Sequence, residues 1–428
     1  MADLVSAGIN EILRSMPPKL DKACIFKVPN FLRQVNQKAY EPQVLAIGPY
    51  HDHGSDHFKA MEAHKIHYLQ MLLNEREEND VSKYVTKMRE LEERARQCYA
   101  EPVSLGTDDF VKMMLLDGCF IVQLIRMKSD RKLRDPNDFI FKVGSFSNTV
   151  CLDMLLVENQ LPFFVLWELF SMIEICGQDL FKKKVFELFS IIFPRKQRPI
   201  GYWKSIEETH HLLDFKHYCM YHDPTNSYKK MKQSYPPWNL IRCATVLDEA
   251  GMKFKMDEGN SLFDIRFGHG TIKIPLVIVE DGTECLFRNL IAFEQLHPYA
   301  TLHHVTDLIV FMDFLIDTAK DVEILRQHGI LQNMLGDNGE VATMFNRLGK
   351  QVVVSPDFCY GQVLNQMNEY CDRYRRWNKF IAYLKRNYFN SPWAPLVSVV
   401  AAFVLLLLAV LQTLYSILSY TKQDVQQY

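Results

Sequence analysis

Apolar residues recur along most of this chain with helical spacing. Met61, His64, Tyr68, Met71 and Leu72 share one face, as do Tyr84, Met88 and Leu91. This predicts a long helical stretch from about Phe58 to Tyr99, broken by the polar run Glu75 to Asp80. Asp108 to Met127 and Val150 to Ile175 read as further apolar helices, with Pro162 marking a start or kink in the second. Both are polar at their centres, through Asp117 in one and Glu158-Asn159-Gln160 in the other. They are therefore expected to be core helices whose polar groups find hydrogen-bond partners.

Strand signals are few. Cys24 to Val28 and Val44 to Ile47 read as two short strands before Pro29 and Gly48-Pro49. Leu262 to Phe267 and Thr271 to Ile274 flank Gly268-His269-Gly270, which predicts a hairpin, and Leu276 to Val279 extends it. A helix from Leu240 to Ala250 is closed by Gly251. Further helices are expected at Cys285–Leu296, Val305–Lys320, Asp321–His328, Glu340–Leu348 and Tyr360–Tyr388. The fold class is mainly α with small antiparallel β elements (α+β), ending in a single C-terminal transmembrane helix.

That last helix has the plainest pattern. From Asn387 to Thr421 the chain has no charged side chain. A bilayer core of roughly 30 Å needs about 20 mostly apolar helical residues, and Ala394 to Leu418 supplies them, with Leu405, Leu408 and Leu411 in its middle. Trp393 and Tyr388 at one end, and Tyr415 and Tyr420 at the other, suit the membrane interface.

The organisation expected is an N-terminal segment (1–22), a helical first half with a short β element (23–192), and a basic, Pro-rich loop region (193–239). A second half with the hairpin and helices (240–386), the anchor (387–421) and a short tail (422–428) follow.

Charge changes the picture at two places only. With a formal net charge of −2, 48% hydrophobic and 23% charged residues, the chain can bury a real core and has no global field for nucleic acid. Before the anchor stand Arg373, Arg375, Arg376, Lys379, Lys385 and Arg386, against Asp372. The positive-inside rule then predicts a cytosolic N-terminal region, at the plasma membrane or an endomembrane. Met1 to Leu20 lacks the apolar run of a signal peptide. The 10 cysteines are scattered singly, which suits reduced thiols better than a disulfide framework.

Candidate chemistry is sparse. His51, His53, His57, His64 and His67 cluster with Asp52, Asp56 and Glu62, but their spacing matches no standard zinc site. Cys219 lies between His217 and His222, near Asp214 and Asp223, as a nucleophile–base pair would, although such partners usually come from separate segments. Glu280, Asp281, Glu284 and Glu294 are candidates for a hydrolytic carboxylate pair. Thr283 is expected to cap a helix in which Arg288 pairs with Glu284. No phosphate loop, HExxH, CxxC pair or Gly-x-Ser-x-Gly elbow is present. No metal, cofactor or catalytic residue is assigned on these grounds.

Several runs resemble the plant domain-of-unknown-function 247 family: Ile25-Phe-Lys-Val-Pro29, Tyr40-Glu-Pro42, Ile47-Gly-Pro-Tyr-His51, Met61-Glu62 with Lys65, and Leu115 to Phe120. Asp153 to Phe163, Ala244 to Lys253, Asp281 to Gln295 and Phe389 to Trp393 continue the resemblance, which runs from about residue 23 to 418. One departure is Tyr50-His-Asp-His-Gly54, where Asp52 separates two histidines that the family usually shows adjacent. The resemblance implies a plant membrane-anchored protein with no established catalytic activity. Its structural motif residues would be Pro29, Gly48, Pro49, Glu158, Asn159, Gln160, Glu284, Arg288, Asn289, Glu294 and Gln295. Some members are implicated in pollen-side self-incompatibility of grasses as recognition determinants. The expectation is a membrane-anchored, non-catalytic recognition or signalling protein whose partners are the bilayer and other proteins. The alternatives are a membrane-tethered hydrolase using carboxylates and a scaffold for a soluble partner.

Overall fold

The computed structural model describes residues 3–15, 22–192, 203–221, 242–259, 261–297, 303–354, 357–388 and 394–425. The first half contains α1 (Leu4–Ser15), α2 (Asn30–Arg33), α3 (Lys59–Glu75), α4 (Ser82–Arg96) and α5 (Thr107–Ser129). It continues with α6 (Phe139–Lys142), α7 (Gly144–Asp153), α8 (Phe163–Ile173), α9 (Gln178–Leu188) and α10 (Leu212–Tyr221). After α11 (Ala244–Glu249) come strands β1 (Lys253–Asp257), β2 (Arg266–Gly268), β3 (Thr271–Pro275) and β4 (Val277–Val279). Then follow α12 (Thr283–Leu296), α13 (His304–Leu315), α14 (Ala319–Gln327), β5 (Leu331–Asn333), α15 (Asn338–Leu348), α16 (Gly361–Tyr388) and α17 (Ala394–Val425).

α5 is the centre of the first half. Nearly every side chain from Phe110 to Met127 is buried, because α3, α4, α8 and α9 pack around it. A Cβ on Gly118 would stand 2.4 Å from Leu169 Cδ1, so α5 and α8 approach closely there and a larger residue would make the Leu169 side chain move. The polar residues of α5 are paired, as their burial demands. Arg126 bonds Glu75 and Glu174, and Asp117 bonds Lys65. The buried apolar side chains of both halves form one continuous cluster that includes Phe120, Phe163, Leu290 and Phe311.

The mainly α class with short strands holds, but the strand details differ from expectation. β2 and β3 form the expected antiparallel hairpin. His269 (φ 50°) and Gly270 (φ 72°) lie in the left-handed region at its two-residue turn, as a type I′ hairpin requires. β1, which the hydrophobic pattern did not reveal, pairs with β3 in parallel, and β4 pairs with β5 in parallel. Cys24 to Val28 and Val44 to Ile47 do not form strands. Ile25 makes an isolated bridge to Tyr99, and the backbone donors of the second segment go to side chains instead, as described below.

Val150 to Ile175 is not one helix. α7 ends at Asp153, and α8 starts at Phe163 with Pro162 as its N-cap. Residues 193–202 and 222–239 of the expected loop region lie outside the described residues. The part between them instead carries α10, whose Leu212, Leu213 and Phe215 are buried.

α17 contains Leu396–Leu418, 23 residues long and apolar enough to cross a membrane, with none of it buried in the protein. Ala394 begins this helix. Leu405, Leu408, Leu411 and Tyr415 are all more than half exposed, while Trp393 lies outside the described residues.

Candidate functional site

The polar residues singled out in the sequence form three buried centres. The first surrounds Lys65, which sits on the buried face of α3 with Met61, Tyr68 and Leu72. Its ammonium donates to Ala46 O at 2.6 Å, Asp117 Oδ1 at 2.6 Å and Glu62 Oε1 at 2.5 Å. His53 Nε2 donates to Gly48 O at 2.7 Å, and its Nδ1 lies 3.1 Å from Glu62 Oε1. Asp117 Oδ2 accepts from Gly48 N at 2.9 Å. Gly48 has φ +70°, and a Cβ there would meet Gln160 O at 2.5 Å, so only glycine fits. Burial works against protonation of His53, but the Glu62 bond and the Asp117 charge outweigh it and raise its pKa.

His53, Glu62 and Asp117 offer ligand atoms within 4.8 Å of one another, a grouping compatible with a cation. Lys65 Nζ fills that role: it bonds both carboxylates and stands 3.3 Å from His53 Nδ1. The donor set therefore does not fit a metal ion while Lys65 is present. The other clustered histidines do not converge on it. His57 and His67 are exposed, and His64 packs on Tyr68 and Phe139. Burial, followed by the charge of His53, holds His51 down to a pKa of about 4.

The second centre is the turn Glu158-Asn159-Gln160 between α7 and α8. All three side chains are buried. Glu158 accepts from Val28 N at 2.6 Å and pairs with Arg33. Asn159 Oδ1 accepts from Ile47 N at 2.6 Å, while its Nδ2 donates to Leu45 O and Asp153 O, each at 2.8 Å. Gln160 Nε2 donates to Met154 O and Leu156 O. Asp153 accepts from the amides of Gln43, Val44 and Leu45. The amides of Gln43, Val44, Leu45 and Ile47 and the Leu45 carbonyl are thus met by the side chains of Asp153 and Asn159, and the Ala46 carbonyl by Lys65, contacts that stand in for a partner strand. Pro29 N-caps α2, and Pro49 is half-buried beside Gly48.

The third centre lies along α12. Glu284 Oε1 accepts from Arg288 Nε at 2.8 Å, one helical turn apart as expected. Gly282, not Thr283, is the N-cap; Thr283 Oγ1 accepts from Glu280 N at 2.8 Å. Asn289 Oδ1 accepts from Val157 N, and its Nδ2 donates to Ala39 O at 2.7 Å, which ties α12 to the first half. Glu294 is 1% exposed. It accepts from Val305 N at 2.9 Å, Thr306 N at 2.7 Å and Thr306 Oγ1 at 2.6 Å. It also lies 2.7 Å from His217 Nε2. A carboxylate here meets the orphan amides and positive pole of α13. Gln295 exchanges two hydrogen bonds with the Val353 backbone.

This arrangement bears on the hydrolytic candidates. Glu158 is bound by Arg33 and Val28 N, and Glu284 by Arg288. An open cavity is lined by Glu323, Arg326, Gln332 and Asn333. His217 is committed to Glu294, Cys219 is buried, and His222 lies outside the described residues. Sequence reasoning did not single out Arg33, Asp153 or the pairing of Lys65 with Asp117. A signal existed for the last: Lys65 is a lysine on an apolar face, and Asp117 an aspartate inside an apolar helix.

A family model described as plant protein of unknown function, DUF247, matches residues 25–408. The UPF0481 protein At3g47200 of Arabidopsis thaliana is 31% identical over 425 residues, covering 94% of this chain and 87% of its own length. The putative UPF0481 protein At3g02645 of the same plant is 23% identical over 489 residues, covering 91% and 89%. No solved structure matches the chain. The chain belongs to the DUF247 family of plant proteins of unknown function.

Proposed function

We propose that this protein is a membrane-tethered recognition or signalling protein that works by binding protein partners and not by catalysis. The observation that carries the reading is the commitment of four carboxylates that the sequence singles out. Glu294 holds a helix start, Glu158 holds Arg33 and Val28 N, and Asp117 holds Lys65. Glu284 is tied to Arg288. Carboxylates so bound are poor general acids or bases, because each proton transfer would break a structural contact. The apolar helix Leu396–Leu418 supports tethering to a bilayer. The basic run from Arg373 to Arg386 supports a cytosolic position for the folded region.

Proximity labelling from the full-length protein in its native membrane tests the reading. Reproducible enrichment of a small set of cytosolic-side proteins is expected. Enrichment confined to lumenal proteins, or turnover of ester or glycoside substrates that is abolished by Glu294→Gln, would overturn it.

A further inference from the structure

We propose that Cys24 and Cys98 form a reversible thiol–disulfide site that is oxidised by a hydroperoxide. The backbone places them side by side. Cys24 N and Ile25 N both donate to Cys98 O at 2.9 Å, and Ala100 N donates back to Ile25 O at 2.9 Å. These bonds hold the segment before α2 against the end of α4 in parallel register. This pairing sets the two cysteines directly across from each other, so that each thiol lies in the other's surroundings. Cys98 Sγ donates to Arg94 O at 3.5 Å.

The surroundings divide the labour. The neighbouring Cys24 thiol, then the nearby charges of Arg94 and Lys22, bring the Cys98 thiol below its ordinary pKa against the effect of burial. The neighbouring Cys98, with burial, pushes the Cys24 thiol up. The thiolate is the nucleophile in such chemistry. Cys98 is also the more open of the two, 9% exposed against 4% for Cys24, so only a small oxidant reaches the pair. Cys119 and Cys151 make the contrast: burial raises both thiols to about 12.

The chemistry balances with one hydroperoxide. The Cys98 thiolate attacks a peroxide oxygen, an S–O bond forms, the O–O bond breaks, and hydroxide or alkoxide leaves. Cys98 is then a sulfenic acid. The Cys24 thiol passes its proton to the departing oxygen as its sulfur attacks Cys98; the S–S bond forms, the S–O bond breaks and water leaves. Two thiols have been oxidised by two electrons in total, and the peroxide reduced by two. The product covalently closes the loop from Cys24 to Cys98, beside the Val28–Glu158 contact, and a dithiol restores the reduced pair.

The test uses the full-length protein in detergent micelles with graded hydrogen peroxide. Remaining thiols are blocked with N-ethylmaleimide, and tryptic peptides are mapped without reduction. A linked pair of peptides 23–27 and 97–112 is expected first, and it should disappear on treatment with dithiothreitol. Its formation should outpace oxidation of Cys119 by about tenfold or more. In Cys24→Ser, dimedone should trap sulfenic acid at Cys98; in Cys98→Ser, neither cross-link nor trapped Cys24 should appear. Absence of the linked peptides from wild type at doses that oxidise Cys176 overturns the proposal, even if neither variant folds. Sulfenic acid at Cys24 in place of Cys98 overturns the assigned roles.

Discussion

The Lys65 ammonium and the Asp117 carboxylate meet at 2.6 Å with both side chains shut off from solvent. Removing one member of such a pair leaves the other charged and uncompensated. Lys65→Met should therefore destabilise the fold by about 3–5 kcal/mol. Lys65→Met with Asp117→Asn should cost less than Lys65→Met alone, because the amide keeps an acceptor for Gly48 N without a buried charge. Denaturant unfolding in detergent checks the order of the two variants.

Asn159→Ala removes one accepted and two donated hydrogen bonds and leaves Ile47 N without its partner. An unsatisfied buried group costs about 1–3 kcal/mol. The variant should melt at a lower temperature, with early exchange of amides at 45–48. An unchanged melt would mean that the turn does not hold the segment 43–47.

Glu294→Gln keeps the shape but removes the negative charge facing the first amides of α13. Loss of this helix-terminus interaction and of a charged acceptor should cost about 1–2 kcal/mol. Hydrogen exchange should quicken first at Val305 and Thr306. Equal quickening throughout α12 and α13 would point to global unfolding instead.

Acid sensitivity should depend on buried histidine. Burial lowers His211 to about 3 and His297 to about 4. Between these values and the ordinary value of about 6.5, the unfolded chain binds protons that the folded chain refuses. The histidine contribution to stability therefore falls as pH drops below about 6.5. Asp153 and Asp307, which burial raises to about 6 and about 7, act in the opposite sense over much of this window. The telling comparison is between wild type and His211→Phe: the variant should lose less stability from pH 7 to pH 5. A steeper loss would reverse the assignment.

Deleting residues 390–428 should give a folded protein that stays in the supernatant without detergent, because Leu396–Leu418 contributes nothing to the core. Aggregation with loss of the melting transition would show that the segment has a structural role in the fold.

Period and charge alone already marked α3, α4, α5, the α12 pair Glu284–Arg288, the hairpin at His269-Gly270 and the apolar span. These are local properties: a helical face, an i,i+4 pair, a turn that needs positive φ, a run without charge. The polar runs at Asp117 and at Glu158 to Gln160 were legible as groups that had to be satisfied, but their partners were not. Those partners lie far away in the chain: Lys65 for Asp117, residues 28 to 47 for the turn, and Ala39 and Val157 for Asn289. A segment such as Val44 to Ile47 has the composition of a strand. Only the folded arrangement decided that side-chain acceptors, not another strand, would take its amides. The same holds for the parallel pairing of β1 with β3 and for the meeting of Cys24 with Cys98. Contacts of this kind are set by how the helices pack, and no local period records them.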